Sequence, residues 1–82
     1  MKLKYDFAIQ EVADKFIAVG KNPETQAVEK VLNLNETGAL ILQALIDDKD
    51  IPEIVDQLLS TYDVEQQEAE DEVNAFVNKL KE

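Results

Sequence analysis

The chain contains no cysteine, no histidine, no arginine and no tryptophan. Without cysteine there is neither a disulfide framework nor a thiolate metal site. Without histidine the commonest catalytic base and metal ligand is missing. There are two glycines, Gly20 and Gly38, too few for a phosphate-cradling loop or a dinucleotide fingerprint. The lone serine, Ser60, and Thr61 have no histidine to activate them. No run of 18 apolar residues occurs, so no membrane-spanning helix is expected. The first residues, MKLKYDFAIQ, hold no apolar core of a signal peptide, so export is not expected and a cytoplasmic setting is.

What is present suffices for one core. The 82 residues are 45% apolar, too apolar for a disordered chain despite the charge, and are expected to form a single domain over residues 1–82. The net charge is −10, from 18 acids and 8 lysines. It is uneven. Residues 1–30 carry five lysines and five acids, residues 31–64 one lysine and seven acids, and residues 65–82 two lysines and six acids. The acidity therefore belongs to the later two thirds.

The first third reads as strands. Phe7-Ala-Ile9 alternates weakly, with Val12 out of phase, which predicts a bulge or a short strand. Asp14 offers a turn, Lys15-Phe-Ile-Ala-Val19 is rich in β-formers, and Gly20-Lys-Asn-Pro-Glu24 reads as a hairpin loop. A third strand runs over 27–34. Val28, Leu32 and Leu34 are expected on one face, and Ala27, Glu29, Val31 and Asn33 on the other.

The remainder reads as three helices. Asn35 is a good N-cap, Glu36 suits the positive end of the helix dipole, and Leu34 can staple onto Ala39. Residues 39–46 are apolar nearly all round, marking this helix as the buried centre. After the polar turn Asp47-Asp-Lys-Asp50, a second helix starts near Pro52, a residue suited to the first helical position. It is expected to bury Ile54, Val55, Leu58 and Leu59, with Tyr62 in the core and its hydroxyl wet. The third helix, from about Glu65 to Lys81, carries the stripe Ala69, Val73, Phe76, Val77 and Leu80. Its early acids, Glu65 and Glu68, and late lysines, Lys79 and Lys81, suit the dipole. The order is α+β, a three-stranded antiparallel sheet followed by three helices, which suits a winged helix-turn-helix-like fold with its strands first.

Three kinds of chemistry fit poorly. The acids Glu68, Glu70, Asp71 and Glu72 read as a solvated helix face, not a catalytic pair, and no EF-hand spacing is present. Neither enzyme activity, nor a cofactor, nor a metal site is expected. An acyl carrier needs a serine at a helix start in an Asp-Ser-Leu setting, and Ser60 follows Leu59 at a helix end. DNA affinity rests on Lys and Arg neutralising phosphates, and base reading leans on Arg. The acids between Glu65 and Glu72 repel phosphate instead. What remains is recognition of a protein or peptide. A sheet of three short strands has edges that a guest strand can extend, though spacing alone does not say which strand is at the edge. The alternative is a dimeric winged-helix structural or DNA-binding regulatory protein, its edges shielded by charges such as Glu29 and Lys30.

Two stretches carry a resemblance, LNLNETGALILQAL (residues 32–45) and TYDVEQQEAEDEVNAFVNKL (residues 61–80). The former resembles the Leu-Asn-Glu-Thr-Gly-Ala signature at the first helix of the PqqD-like family, named for the small protein D of pyrroloquinoline quinone biosynthesis. The latter is similar to that family's Tyr-Asp-Val turn followed by an acidic helix ending in Phe-aliphatic-x-x-Leu. The sequence departs at Glu72, where many members carry Asp. The resemblance implies a non-catalytic peptide-recognition module that captures the leader segment of a ribosomally synthesised precursor. The captured leader is presented to a modifying enzyme, such as a radical-SAM maturase, cyclodehydratase or leader protease. It implies no nucleic acid and no membrane as partner. It further implies that the leader adds as a strand along Ala27, Val28, Glu29, Lys30, Val31 and Leu32. The groove wall is then the helix bearing Val73 and Val77, with Glu70 and Asn74 as a polar rim.

One residue in the LNLNETGALILQAL stretch is costly. Gly38 stands in the first turn of its helix, where glycine loses roughly 1 kcal/mol against alanine. With acids nearby and no companion glycines, a bound phosphate does not explain it. Close packing of the helix against a neighbouring element is the expectation.

Overall fold

A computed structural model of the chain describes residues 3–81; Met1, Lys2, Glu82 and the side chain of Lys81, expected at the end of the last helix, lie outside the described residues. Three strands, β1 (Asp6–Val12), β2 (Lys15–Lys21) and β3 (Val28–Leu34), precede three helices, α1 (Glu36–Ile46), α2 (Ile51–Thr61) and α3 (Gln66–Lys81). The fold is α+β, as expected.

The sheet is antiparallel with order β1-β2-β3, so β3 is an edge strand. β1 and β2 pair without interruption from Asp6–Lys21 to Val12–Lys15. The bulge or short strand expected near Val12 is therefore not found, since β1 runs unbroken over 7 residues. Ala13 and Asp14 turn the chain with φ of 49° and 67°, the two positive values of a type I′ turn, whose twist matches that of the strands it joins. The bulge lies in β3. Gly20 pairs with Lys30 and Lys21 with Val28, so Glu29 is the extra residue. Its carboxylate accepts a hydrogen bond from Asn22 Nδ2 at 3.0 Å. Because of the bulge, Val28 sits opposite exposed Lys21 and is itself 56% exposed. It does not share the inner face with Leu32 and Leu34.

Gly20 is a second correction. It lies inside β2, not in a loop, and a Cβ there would stand 2.8 Å from Phe7 Cε1. The ring of Phe7 crosses its cross-strand partner and covers it, so a side chain on residue 20 has no room.

α1 is the buried centre. Ala39, Ile41, Leu42, Ala44 and Leu45 are buried. All but Ala39 join Ala18, Ile54, Val55, Leu58, Ala69, Val73, Val77 and Leu80 in one core cluster. Removing its larger side chains from water stabilises the fold by about 1.5–3 kcal/mol each. Asn35 caps α1, its Oδ1 accepting from Gly38 N–H at 2.7 Å. The helix ends with Asp48 at φ 63°, Asp48 N–H donating to Leu45 C=O and Lys49 N–H to Ala44 C=O, a Schellman closure. Asp50 then caps α2 through Glu53 N–H at 3.0 Å. Ile51 opens that helix, so Pro52 is its second residue, and Leu59 is only half-buried. The Tyr62 hydroxyl, expected in water, is buried and has no hydrogen-bond partner among the described residues. Among the described residues no helix is long and apolar enough to cross a membrane.

Candidate functional site

Turn chemistry decides which backbone groups face outward on β3. In a two-residue hairpin the pair flanking the turn, here Val12 and Lys15, exchanges both main-chain bonds, and such pairs then alternate along the ladder. Lys15, Ile17, Val19 and Lys21 therefore turn their N–H and C=O toward β1, and Phe16, Ala18 and Gly20 turn theirs toward β3. Those three pair with Leu34, Leu32 and Lys30. Val31 and Asn33 are left with N–H and C=O directed away from β2. Among the described residues no strand pairs with that rim. It offers two donors and two acceptors in extended geometry, a template for one more strand.

The rim ends where the ladder is broken. At Glu29 the bulge bends the strand, so uninterrupted pairing runs over residues 30–34. Ala27, expected in the strand, lies before it, and its C=O accepts from Asn22 N–H at 2.9 Å.

Past the end of β3 is a hollow of about 260 Å³, lined by Asn35, Thr37, Gly38 and Ile41 of the α1 segment and by Glu72, Ala75, Phe76 and Lys79 of α3. Gly38 is its pivot. A Cβ there would lie 3.4 Å from Phe76 Cε2 and 3.6 Å from Leu34 Cδ2, so α3 and the end of β3 converge on the missing side chain. Along their length the two elements stay apart, no Cα of β3 lying within 8 Å of one of α3. A smaller hollow of about 110 Å³, lined by Tyr62, Val64, Glu68 and Ala69, shares Thr37 and Glu72 with the first. A larger concavity, of about 840 Å³, is lined by no residue of β3 or α3. It lies beside the edge-to-face rings of Tyr5 and Phe7.

The structure distributes the expected site residues as follows. Glu29, Lys30, Val31 and Leu32 are in β3, with Val31 and Glu29 exposed and Lys30 and Leu32 half-buried. Val73 and Val77 are 0% and 4% exposed and belong to the core, so the surface of α3 toward the hollow is made by other residues. At about 100° per residue, Glu70 and Asn74 project from the flank of α3 opposite Glu72 and Lys79. Asn33, Thr37, Gly38, Phe76 and Lys79 were not anticipated as site residues. Phe76 gave a signal, being the bulkiest member of the apolar stripe and standing at its margin. Among the described residues no group of three or more acids is placed to hold a metal ion.

Comparison with known proteins adds the following. Residues 19–82 match the family of coenzyme PQQ synthesis protein D, PqqD. The solved structure of TbiB1 in complex with the TbiA(beta) leader peptide is similar at 22% identity and a TM-score of 0.74, covering 99% of this chain and 88% of that one. A lasso peptide synthetase B1 complexed with the leader peptide is similar at 26% identity and a TM-score of 0.72, covering 98% and 88%. No curated protein matches the chain. Nothing among these similarities points to DNA binding.

Proposed function

The chain belongs to the PqqD family, and from that premise we propose that it is a peptide-recognition module for the leader segment of a ribosomally made precursor. The whole chain acts as one domain, without chemistry of its own, in the cytoplasm. It holds the leader for a modifying enzyme such as a radical-SAM maturase, a cyclodehydratase or a leader protease.

One observation carries the reading: β3, with its unpaired rim at Val31 and Asn33, ends at Leu34, whose side chain lies by Gly38 on the border of a hollow between α1 and α3. A leader strand bonding to that rim gains affinity from main-chain groups that hardly depend on its sequence. Successive side chains of a strand point to opposite faces. Every second leader residue thus turns toward the hollow bounded by Gly38 and Phe76, and these residues set specificity. Glu29, with its bulge, marks where pairing stops; Lys30 precedes the outward pair and Leu32 stands between its two members, both bonded toward β2. Val73 and Val77 support the wall from beneath. Two neighbouring side chains, Glu72 and Lys79, give the hollow an acid and a base for polar contacts. The strongly acidic helices favour leaders that carry lysine or arginine, an attraction screened over about 8 Å at physiological salt.

The test is an amide titration of the labelled chain with the leader of a precursor encoded beside its gene. Signals of residues 30–34, Gly38 and Phe76 are expected to move together. Shifts confined to residues 47–60 would falsify the proposal.

A further inference from the structure

Open edge strands are ordinarily blunted by charge, proline or a bulge. β3 has such devices at its start, in the Glu29 bulge and Lys30, and none from Val31 to Leu34. Cross-strand partners share a face, so the register puts Ala8, Val19 and Val31 in one row and Gln10, Ile17 and Asn33 in the next. Neither row carries a charge. Both lie on the outer face of the sheet, since the helices pack on the other, where Ala18, Leu32 and Leu34 meet the core. Val31 is 61% exposed, more than any other large hydrophobic among the described residues. Val19 stands beside it on β2, and on its other side the sheet ends.

The residue with this bare side chain also presents one of the two outward N–H and C=O pairs of the rim. A strand that bonds to the rim must therefore set one of its own side chains beside Val31, on the same face. That side chain turns away from Gly38 and Phe76, so it belongs to the alternate set of leader residues that the hollow does not receive. We infer that the leader is read on this outer face as well, with Val31 as a specificity-determining side chain that takes a β-branched or aromatic leader residue beside it. Pairs of those types are the favourable ones across strands. The row that the guest extends, Ala8-Val19-Val31, offers apolar surface and no counter-ion, so a charged leader residue is disfavoured there. The inference rests on the leader-binding reading and adds to it which further leader position is selected, and for what chemistry.

Calorimetric titration of the full chain with the leader of the precursor encoded beside its gene tests it. Val31→Thr keeps the outward N–H and C=O and the preference for a strand, and replaces a methyl group by a hydroxyl. It is expected to weaken leader binding about two- to fivefold, with an unchanged thermal melt. Val31→Ile is expected to hold or tighten it. Val12→Thr, on the same face but on β1, two strands from the rim, is expected to leave affinity unchanged. The leader residue whose protons show nuclear Overhauser contacts to the Val31 methyls is then changed to serine. Combined with Val31→Thr, the two losses are expected to multiply to less than their product, because each removes the same contact. Full affinity in Val31→Thr overturns the inference and leaves the leader-binding reading standing. So does a charged leader residue beside Val31, an equal loss in Val12→Thr, or two losses that multiply in full. A leader that does not bind the wild-type chain at all removes both.

Discussion

The Phe76 ring lies 3.4 Å from the point where a Cβ on Gly38 would stand. A helix start is a costly place for glycine, and the cost is offset here by contact. The absent side chain lets α3 reach the first turn of α1, just where Leu34 ends β3. The hollow past the end of β3 has this contact as one of its boundaries.

Gly38→Leu should therefore be strongly destabilising. The new side chain must displace Phe76, Leu34 or the Asn35 cap, and overpacking of this kind costs about 1–3 kcal/mol. A fall in Tm of roughly 10 °C is expected in a thermal melt, at about 4–8 °C per kcal/mol for a domain of this size. An unchanged Tm refutes the packing account of Gly38.

Asn35→Ala should cost about 1 kcal/mol, because the Gly38 N–H at 2.7 Å loses its acceptor. Asn35→Asp should retain nearly all of the stability, since its carboxylate can still accept and is favoured near the helix N-terminus. Equal losses for the two in a denaturant titration contradict the cap.

Proline separates the two sides of β3. Val31→Pro removes an N–H that points out of the sheet, which an edge strand tolerates, so the fold should persist while leader affinity falls about tenfold. Leu32→Pro removes an N–H bonded to Ala18 across the ladder and should cost about 3 kcal/mol of stability. Stability lost at position 31 and kept at 32 would reverse the assignment of outward groups.

Tyr62→Phe should not weaken the protein. The hydroxyl is buried without a partner among the described residues, and an unsatisfied buried polar group costs about 1–3 kcal/mol. Chemical denaturation of the phenylalanine variant is expected to show an increase of about 1 kcal/mol. A clear loss means that the hydroxyl makes a bond after all.

The β1–β2 turn can be improved. Ala13 and Asp14 both hold positive φ, a conformation that costs most L-residues about 1–2 kcal/mol. Asn and Gly are the residues such turns favour, so Ala13→Asn combined with Asp14→Gly should raise Tm by several degrees. No rise would show that other contacts hold this turn at little cost.

Local chemistry in the sequence determined much of this protein. The cap at Asn35, the apolar surround of residues 39–46 and the stripe on α3 each depend on neighbours one to four residues apart, so order and spacing sufficed. Composition alone removed thiolate, imidazole and arginine chemistry. Tertiary structure decided what depends on residues far apart in the chain. That β3 is an edge, that Glu29 is bulged and throws Val28 outward, and that Phe7 covers Gly20 all follow from pairing between strands. The side of α3 that meets the hollow was set by its contact with Gly38. A helical stripe shows which residues are apolar, but not which end of the buried arc a distant element leaves uncovered. Val77 was therefore buried, and Phe76 was left at the surface of the site.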